Sequence, residues 1–344
     1  MANGSLAARK ESMNNSGDPQ YQIKLEAIAE RLKSHNGTIV IAAHVDPDGD
    51  AIGSVLGASR ALASIGKTVL PVGVPPRYLE WMVGASELTP KLEVLPDGAL
   101  LLVVDSAEVS RVDGVPMNQA GIPIINIDHH GSNPRFGEIA LVSPDKAACA
   151  LMVKDLVAAL GVELSSAISE PLLTGILTDT GFFRNSNTDT SVLHAAADLL
   201  SSGVSLVKIN EALASQPHSF YKLQAEVYAT IEFPLSGRMV TAFVNSAMLT
   251  RLGASWEDVE SLVNYIRNAE GTVVACLFKD YGDSVKVSLR SKSGVSAQNI
   301  AIACGGGGHV PAAGATINLP FAEAYAKVLE EAKLELQRAG ISIH

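Results

Sequence analysis

Three short runs in this sequence are apolar but for Thr38 and Asn126, and each stops on residues able to hold a metal ion. Residues 38–43 run into His44, residues 99–104 into Asp105, and residues 122–127 into Asp128-His129-His130. A continuous apolar run of strand length, bounded by turn residues, suits a strand covered on both faces better than one half open to water. Such strands pair in parallel and need helical crossovers between them. Helical spacing is present at Tyr21, Leu25, Ile28, Ala29 and Leu32, and a small-residue helix reads over 51–64. Further helices read over 147–160, 169–177 and 188–202, the last closed by Gly203, and one more strand over 68–74. Alternation of this kind predicts an α/β fold with a doubly wound, mostly parallel sheet, whose ligands gather at the strands' carboxyl ends.

The second part of the chain has a different character. Residues 204–233 are helical and polar, punctuated by Pro217, and are expected as a connector between a domain at 21–203 and a smaller α/β domain at 234–344. The latter should hold a strand at 239–244, a helix opening at Ser255 with Asp258 as its capping partner, and a hairpin pairing 272–279 with 284–289. A short helix, a four-glycine loop, a strand at 315–319 and a last helix from Phe321 follow. Residues 1–20 are polar, lack the apolar core of a secretory signal, and are expected as a disordered tail.

Composition narrows the chemistry. Of 344 residues, 36 are acidic and 26 basic, a net charge of −10, which argues against a long nucleic-acid track but permits a small phosphorylated substrate. No apolar run reaches the ~18 residues a membrane helix needs. Cys149, Cys276 and Cys304 lack metal-ligand spacing and are odd in number, so a reducing, cytoplasmic setting is expected.

The segment His44-Val45-Asp46-Pro47-Asp48-Gly49-Asp50 places an imidazole and two alternately spaced carboxylates at a strand end, with Pro47 and Gly49 turning the chain. Mixed nitrogen and carboxylate donors suit Mn²⁺, Fe²⁺ or Zn²⁺ better than Ca²⁺. Alone, the segment is equally an acidic turn with a helix cap. Three strands that deliver such ligands at one sheet edge are a stronger signal, and Asp179, in Thr178-Asp179-Thr180-Gly181, adds a fourth carboxylate. No Gly-x-Ser-x-Gly elbow is present, and Cys149 reads as a small buried residue. Gly305-Gly306-Gly307-Gly308-His309 exposes backbone amides to a phosphate, or is a flexible turn; it lacks the Lys-Ser/Thr pair of a Walker A loop.

Taken in order, the segment 44–54, Asp105, Asp128-His129-His130, Asp179 and the glycine run with Ala312-Ala313-Gly314 resemble the motifs of the DHH phosphoesterase superfamily, in its subfamily with a glycine-rich second domain. The resemblance covers nearly all the chain from about residue 22. It implies a hydrolase with a cleft between two domains and two divalent ions, Mn²⁺ first, with Mg²⁺ or Co²⁺ as alternatives. One ion would be held by His44, Asp48 and Asp105, the other by Asp50, Asp105, His129 and Asp179. Asp46 falls at a variable position. The resemblance also implies that Asp128 orients a ligand imidazole and that His130 faces the scissile phosphate, whereas a buried core histidine is the plainer reading of His130. Arg290, Ser291, Gly305–Gly308 and His309 would hold the nucleotide away from the metals, with Arg184 as a further contact. The plainer reading of Arg290 is a surface ion pair.

The expected activity is hydrolysis of very short oligonucleotides to mononucleotides, of 3′-phosphoadenosine 5′-phosphate to AMP, or both, with no long nucleic acid or membrane partner and a homodimer suggested. A family II inorganic pyrophosphatase shares the N-terminal motifs, but the four-glycine loop counts against it. A long-substrate RecJ-like exonuclease fits poorly, because the chain is short and acidic. A catalytically silent nucleotide sensor is disfavoured, because every expected ligand is present.

Overall fold

The computed structural model describes residues 19–82, 84–259, 261–292 and 294–343. The segment 1–20 expected as a tail lies outside these except for Pro19 and Gln20, which open the first helix. The chain divides into two units after Ser215.

In the first unit α1 (Pro19–Ser34) leads into β1 (Ile39–Ala42), α2 (Gly49–Ser64), β2 (Val69–Pro71), β3 (Leu100–Val104), β4 (Ile124–Asp128) and β5 (Ile139–Val142). Then come α3 (Cys149–Ala159), α4 (Ser166–Asp179), α5 (Thr190–Leu200) and α6 (Leu206–Ala214). All five strands pair in parallel, in the order β2-β1-β3-β4-β5. The apolar runs have the expected consequence: β1 and β3 are buried at every position, and Leu56, Leu102, Ile127 and Leu172 share one core. The strand at 139–142 was not expected. It is only four residues long and sits at the sheet edge, too short for a periodicity to show.

Because β2 lies on one side of β1 and β3 on the other, the order of winding reverses between β1 and β3. At such a switch point the loops leave in opposite directions and open a crevice above the strand ends. His44 follows β1 and Asp105 follows β3, one on each side of it.

The small residues of α2 let it lie close against α4. A Cβ on Gly53 would come 2.3 Å from the Pro171 carbonyl oxygen, and one on Gly57 would come 2.5 Å from a Leu172 methyl. From the other side, a Cβ on Gly175 would come 2.9 Å from Asp50 Oδ1. Glycines at four-residue spacing therefore bring the two backbones together, and with them the carboxylates that open α2 and close α4.

The second unit holds α7 (His218–Ala229), β6 (Met239–Asn245), α8 (Ser246–Leu252), α9 (Leu262–Ile266), β7 (Val274–Asp280) and β8 (Val285–Ser291). It ends with α10 (Ala297–Ala303), β9 (Gly307–His309), β10 (Ala312–Ile317) and α11 (Phe321–Arg338). The helical stretch 204–233 is shared: Ile209 and Leu213 of α6 join the first unit's core, and Phe220, Leu223 and Val227 of α7 join a core of the second. The sheet order is β6-β7-β8-β10-β9, with β6 and β7 parallel and the rest antiparallel. One face packs Phe278 and Leu289 against α10 and α11; the other packs Val240 and Leu277 against α7, α8 and α9.

Three expectations are corrected. The helix at Ser255 is a 3₁₀ turn over Glu257–Val259, although Asp258 does accept from the Ser255 amide (2.8 Å) and hydroxyl (3.1 Å) as the capping pattern required. An unexpected helix, α8, forms before it, capped by Asn245 at its start and closed by Gly253. The four-glycine segment is not wholly loop, since Gly307 to His309 form an edge strand on β10, which itself begins at Ala312 rather than 315.

Candidate metal centre

Each side chain of the site reaches it from the end of a buried element. Past β1 the chain makes a single bridge between His44 and Val112, which holds the histidine backbone. Past β3 the Asp105 amide still donates to Ile127 O (3.0 Å), so the residue extends the ladder while its φ of +53° turns it out of strand conformation. Asp46, at φ +54°, makes a similar turn and is exposed, away from the cluster. A non-glycine residue in the left-handed region costs ~1–2 kcal/mol and persists only where surrounding structure imposes it. Asp48 caps α2, its Oδ1 accepting from the Asp50 (2.9 Å) and Ala51 (3.1 Å) amides.

The carboxylates and imidazoles then converge. His44 Nε2 lies 3.5 Å from Asp105 Oδ2, and His129 Nε2 lies 3.4 Å from Asp105 Oδ1, 3.4 Å from Asp179 Oδ2 and 3.9 Å from Asp50 Oδ2. Donor atoms of His44, Asp48 and Asp105 all fall within 4.8 Å of one another, as do those of Asp50, His129 and Asp179, and those of Asp105, His129 and His130. Nδ1 of His129 faces Lys146 O at 3.2 Å, and Nδ1 of His44 faces Val45 O at 2.8 Å, which directs both Nε2 atoms to the carboxylates.

Asp128 is fully buried, and the imidazole it orients is that of His130, with Oδ1 2.7 Å from Nδ1. Its other oxygen accepts from Asn133 Nδ2 at 2.7 Å. Asn133 also reaches Ser106 O and Asn126 Oδ1, so a buried amide that sequence reasoning missed fixes the Asp128–His130 pair. Asn187, on the surface, is a second residue that was missed, donating to both Ala147 O and Asp179 O. Neither carried a sequence signal beyond being a polar residue near a motif.

The electrostatics are those of a site built for cations. Burial, with the Asp105 charge next, pushes Asp50 up to about 8. Asp48 is raised by burial and by Asp105, and Asp179 well above the usual range by burial and by Asp50, Asp48 and Asp105. Burial would lower His44 and His129, but the close Asp105 carboxylate outweighs it and lifts them to about 9 and about 10, with Asp50 also acting on His129. Burial would raise Asp105, yet its contacts with His129 and His44 hold it below the ordinary carboxylate range. Among the described residues these carboxylates find ion-pair partners only in histidines, and Asp105 Oδ1 is buried with no hydrogen-bond donor. Two buried carboxylates (Asp50, Asp105) and two half-buried ones (Asp48, Asp179) with no lysine or arginine partner, one oxygen orphaned among them, fit divalent cations held by mixed oxygen and nitrogen donors.

The remaining expected residues lie elsewhere. Arg184 is exposed just past Asp179; its Nε donates to Gly181 O (2.8 Å) and its guanidinium lies 5.6 Å from the Phe182 ring centre. In the second unit Arg290 is half-buried, its Nε donating to Asn264 Oδ1 (3.0 Å). Ser291 does not accompany it. Successive strand residues face opposite sides of a sheet, and Ser291 is buried, its hydroxyl within 2.8 Å of Val295 O and 2.9 Å of Val310 O and accepting from the Ala297 amide. That hydroxyl ties two loops together, and the substrate contact expected of it is withdrawn. Gly305–Gly308 and His309 are all exposed. Gly305 (φ +86°) closes α10, a Cβ on Gly306 would lie 2.0 Å from Gly314 O, and Gly308 (φ +135°) abuts Ala313. Gly305 and Gly307 meet nothing within 4 Å, and of these two only Gly307 has no positive φ.

Two family models match the chain. The one described as "DHH family, N-terminal domain" covers residues 38–176 and the one described as "DHHA1 domain" covers 237–338, which defines the class as two-module phosphoesterase hydrolases. A relative from Thermus thermophilus, "Bifunctional oligoribonuclease and PAP phosphatase NrnA", is 49% identical over 327 residues, spanning 95% of this chain and 98% of its own. The chain belongs to this DHH phosphoesterase family, whose members depend on divalent metal ions. A Bacillus subtilis relative of the same description is 27% identical over 285 residues, 81% of this chain and 89% of its own. The crystal structure of an exopolyphosphatase-related protein from Bacteroides fragilis has the same fold (TM-score 0.86, 22% identity, 93% of this chain and 98% of that one).

Proposed function

We propose that the protein hydrolyses very short oligonucleotides to mononucleotides and 3′-phosphoadenosine 5′-phosphate to AMP, using two divalent ions, Mn²⁺ in the first instance. The observation that carries this reading is the 49% identity, over nearly the full length of both chains, to a relative described as an oligoribonuclease and PAP phosphatase. The cluster described above supports it, with His44, Asp48 and Asp105 as one donor set, Asp50, His129 and Asp179 as another, and a third, of Asp105, His129 and His130, that touches both.

His44, Asp48 and Asp105 would hold one ion, and Asp50, Asp105, His129 and Asp179 the other, with Asp105 shared. When bound, such a pair supplies an activated water and neutralises charge on the phosphoryl oxygens. Within the protein, His130 is set by Asp128 to donate to the scissile phosphate, and Asp105 is held ionised so that both its oxygens are acceptors. Arg184, Arg290, His309 and the Gly305–Gly308 amides would bind the other phosphate and the base. A homodimer and a reducing, cytoplasmic setting belong to the same reading, the latter in keeping with three cysteines that form no disulfide.

The test is a panel of a dinucleotide, a five-residue oligonucleotide, the nucleoside bisphosphate, inorganic pyrophosphate and a long single-stranded RNA, each with Mn²⁺ and with EDTA. Mn²⁺-dependent turnover of the dinucleotide and the bisphosphate, at a kcat/KM well above that for the long RNA, is expected. Turnover of pyrophosphate alone, or nucleotide binding without any hydrolysis, overturns the reading.

A further inference from the structure

The segment that joins β5 to α3 reaches every residue of one donor set. The Ser143 amide donates to Asp128 O (3.0 Å), and the Lys146 amide turns back to Ser143 O (3.1 Å). Lys146 O then lies 3.2 Å from His129 Nδ1. Ala147 O accepts from Asn187, whose amide also reaches Asp179 O, and the Cys149 and Ala150 amides close on Asp50. Residues 143–150 thus hold His129 and Asp50 directly and Asp179 through Asn187. Among the described residues no hydrogen bond links them to His44 or Asp48, which belong to the other set.

The side chains from 143 to 148 are Ser, Pro, Asp, Lys, Ala and Ala, and of these Lys146 alone carries a polar group to another element. Its Nζ donates to Asp155 Oδ2 of α3 at 2.8 Å and lies over the ring of Tyr21 on α1, 5.0 Å from the ring centre. Tyr21 is buried, and its hydroxyl donates to the same Asp155 oxygen at 2.8 Å. Burial, with the Asp155 charge next, holds that phenol well above its ordinary range, so it stays a donor. A lysine–carboxylate pair open to water is worth little, because both side chains must be ordered to make it. This pair is built differently. The carboxylate is fixed by a buried phenol, and the ammonium is drawn to the face of the same ring.

We propose that Lys146 is a positioning residue for the metal centre. Anchored on Asp155 and Tyr21, its side chain fixes the backbone carbonyl that sets the His129 ring. Through residues 147–150 it also keeps Asp50, His129 and Asp179 at the spacing of one donor set. The proposal rests on the two-ion reading above, and gives a role at one ion, not both, to residues of α1 and α3 that lie outside every motif. The charge of Lys146 cannot produce that role, since a cation beside a cation site opposes the ion. Electrostatics and positioning therefore have opposite signs when the ammonium is removed.

The experiment titrates the full-length wild type, Lys146→Met, Lys146→Arg and Tyr21→Phe with Mn²⁺, the free ion being read by EPR. Two steps are expected for the wild type. Lys146→Met should weaken one of them about ten-fold and leave the other within two-fold. Tyr21→Phe should weaken the same step several-fold, and Lys146→Arg, which still reaches Asp155, should keep both. A second measurement needs no metal: the His129 Nδ1 proton, assigned by its absence in His129→Gln, is followed by ¹⁵N-edited NMR in EDTA. Its exchange with water should be at least five-fold faster in Lys146→Met than in the wild type. Unchanged or tighter Mn²⁺ binding by Lys146→Met overturns the role, as does equal weakening of both steps or an unchanged exchange rate. A single Mn²⁺ step in the wild type, or no turnover of a dinucleotide measured in parallel, counts against the proposed function instead, and the exchange rate still judges the anchor.

Discussion

Asp50 caps a helix that begins at Cys149. Its Oδ2 accepts from the Cys149 amide at 2.5 Å and its Oδ1 from the Ala150 amide at 2.8 Å, and the residue that should cap α3 by position, Ala148, has no side chain able to do so. One carboxylate thus satisfies two buried amides and stands in the metal cluster. Replacing it should cost both stability and activity. Asp50→Ala leaves both amides without an acceptor and should lower unfolding free energy by ~2–3 kcal/mol. Asp50→Asn can satisfy only one and should lose ~1–2 kcal/mol. Both should reduce Mn²⁺-dependent turnover by more than ~100-fold. Asp179→Asn, whose carboxylate caps nothing, should match that loss of turnover with little change in the urea midpoint. Equal destabilisation by the two Asn variants would remove the dual role.

The metal-free protein should lose stability as pH rises. Asp50, at about 8 in the fold against 3.8 as a reference, keeps a proton across that interval which the unfolded chain gives up. His44 and His129, at about 9 and about 10 against 6.5, do the same at higher pH. The native state binds more protons from about pH 4 to 10, so stability present at low pH drains away through this window. Asp105, shifted downward, acts in the opposite sense, below the ordinary carboxylate range. With EDTA, Tm should therefore fall between pH 6 and 9.5. Since divalent ions displace the same protons, Mn²⁺ should bind more tightly as pH rises and release protons that calorimetry in two buffers detects. A rising Tm in EDTA would refute the assignment.

The glycine run separates into residues the fold needs and one it does not. Gly306→Ala forces a Cβ to 2.0 Å from Gly314 O, and it should destabilise the second unit by ~1–3 kcal/mol. Gly307→Ala meets nothing within 4 Å and should leave Tm within a degree or two, yet raise KM for the dinucleotide several-fold if a phosphate must approach that backbone. An unaltered KM for Gly307→Ala would make the run purely structural.

Much of this was legible in advance, for physical reasons that can be named. Strands buried on both faces announce themselves as nearly unbroken apolar runs, so β1, β3 and, despite Asn126, β4 and the ligands at their ends could be read directly. The relation between Asp50 and Cys149 could not, because it joins positions a hundred residues apart. Its one trace was negative: α3 opens on Ala148-Cys149 without any capping side chain, and buried amides at a helix start must find an acceptor somewhere. Arg290 and Ser291 show the opposite error. Adjacent strand residues cannot serve the same face, and strand period alone argues against pairing them as substrate contacts. For Asp128 the kind of partner was readable, while the choice of His130 over His129 depends on ring orientations set by Asn133 and by Lys146 O.

Packing between α2 and α4 should control the metal centre at a distance from its ligands. Gly53 touches no ligand, but a Cβ there would lie 2.3 Å from the Pro171 carbonyl oxygen, a backbone atom that cannot swing aside. Gly53→Ala must therefore push α4 away from α2, and α4 ends on Asp179 while α2 begins beside Asp50. His129 bridges those two carboxylates at 3.9 and 3.4 Å, so a shift of one helix against the other opens that donor set and leaves His44, Asp48 and Asp105 largely in place. Overpacking of this kind costs ~1–3 kcal/mol. Titration with Mn²⁺ should show one of two binding steps weakened by ten-fold or more, with the other within two-fold of the wild type. Weakening of both steps alike would mean that the variant disturbs the unit as a whole rather than the spacing of its two helices.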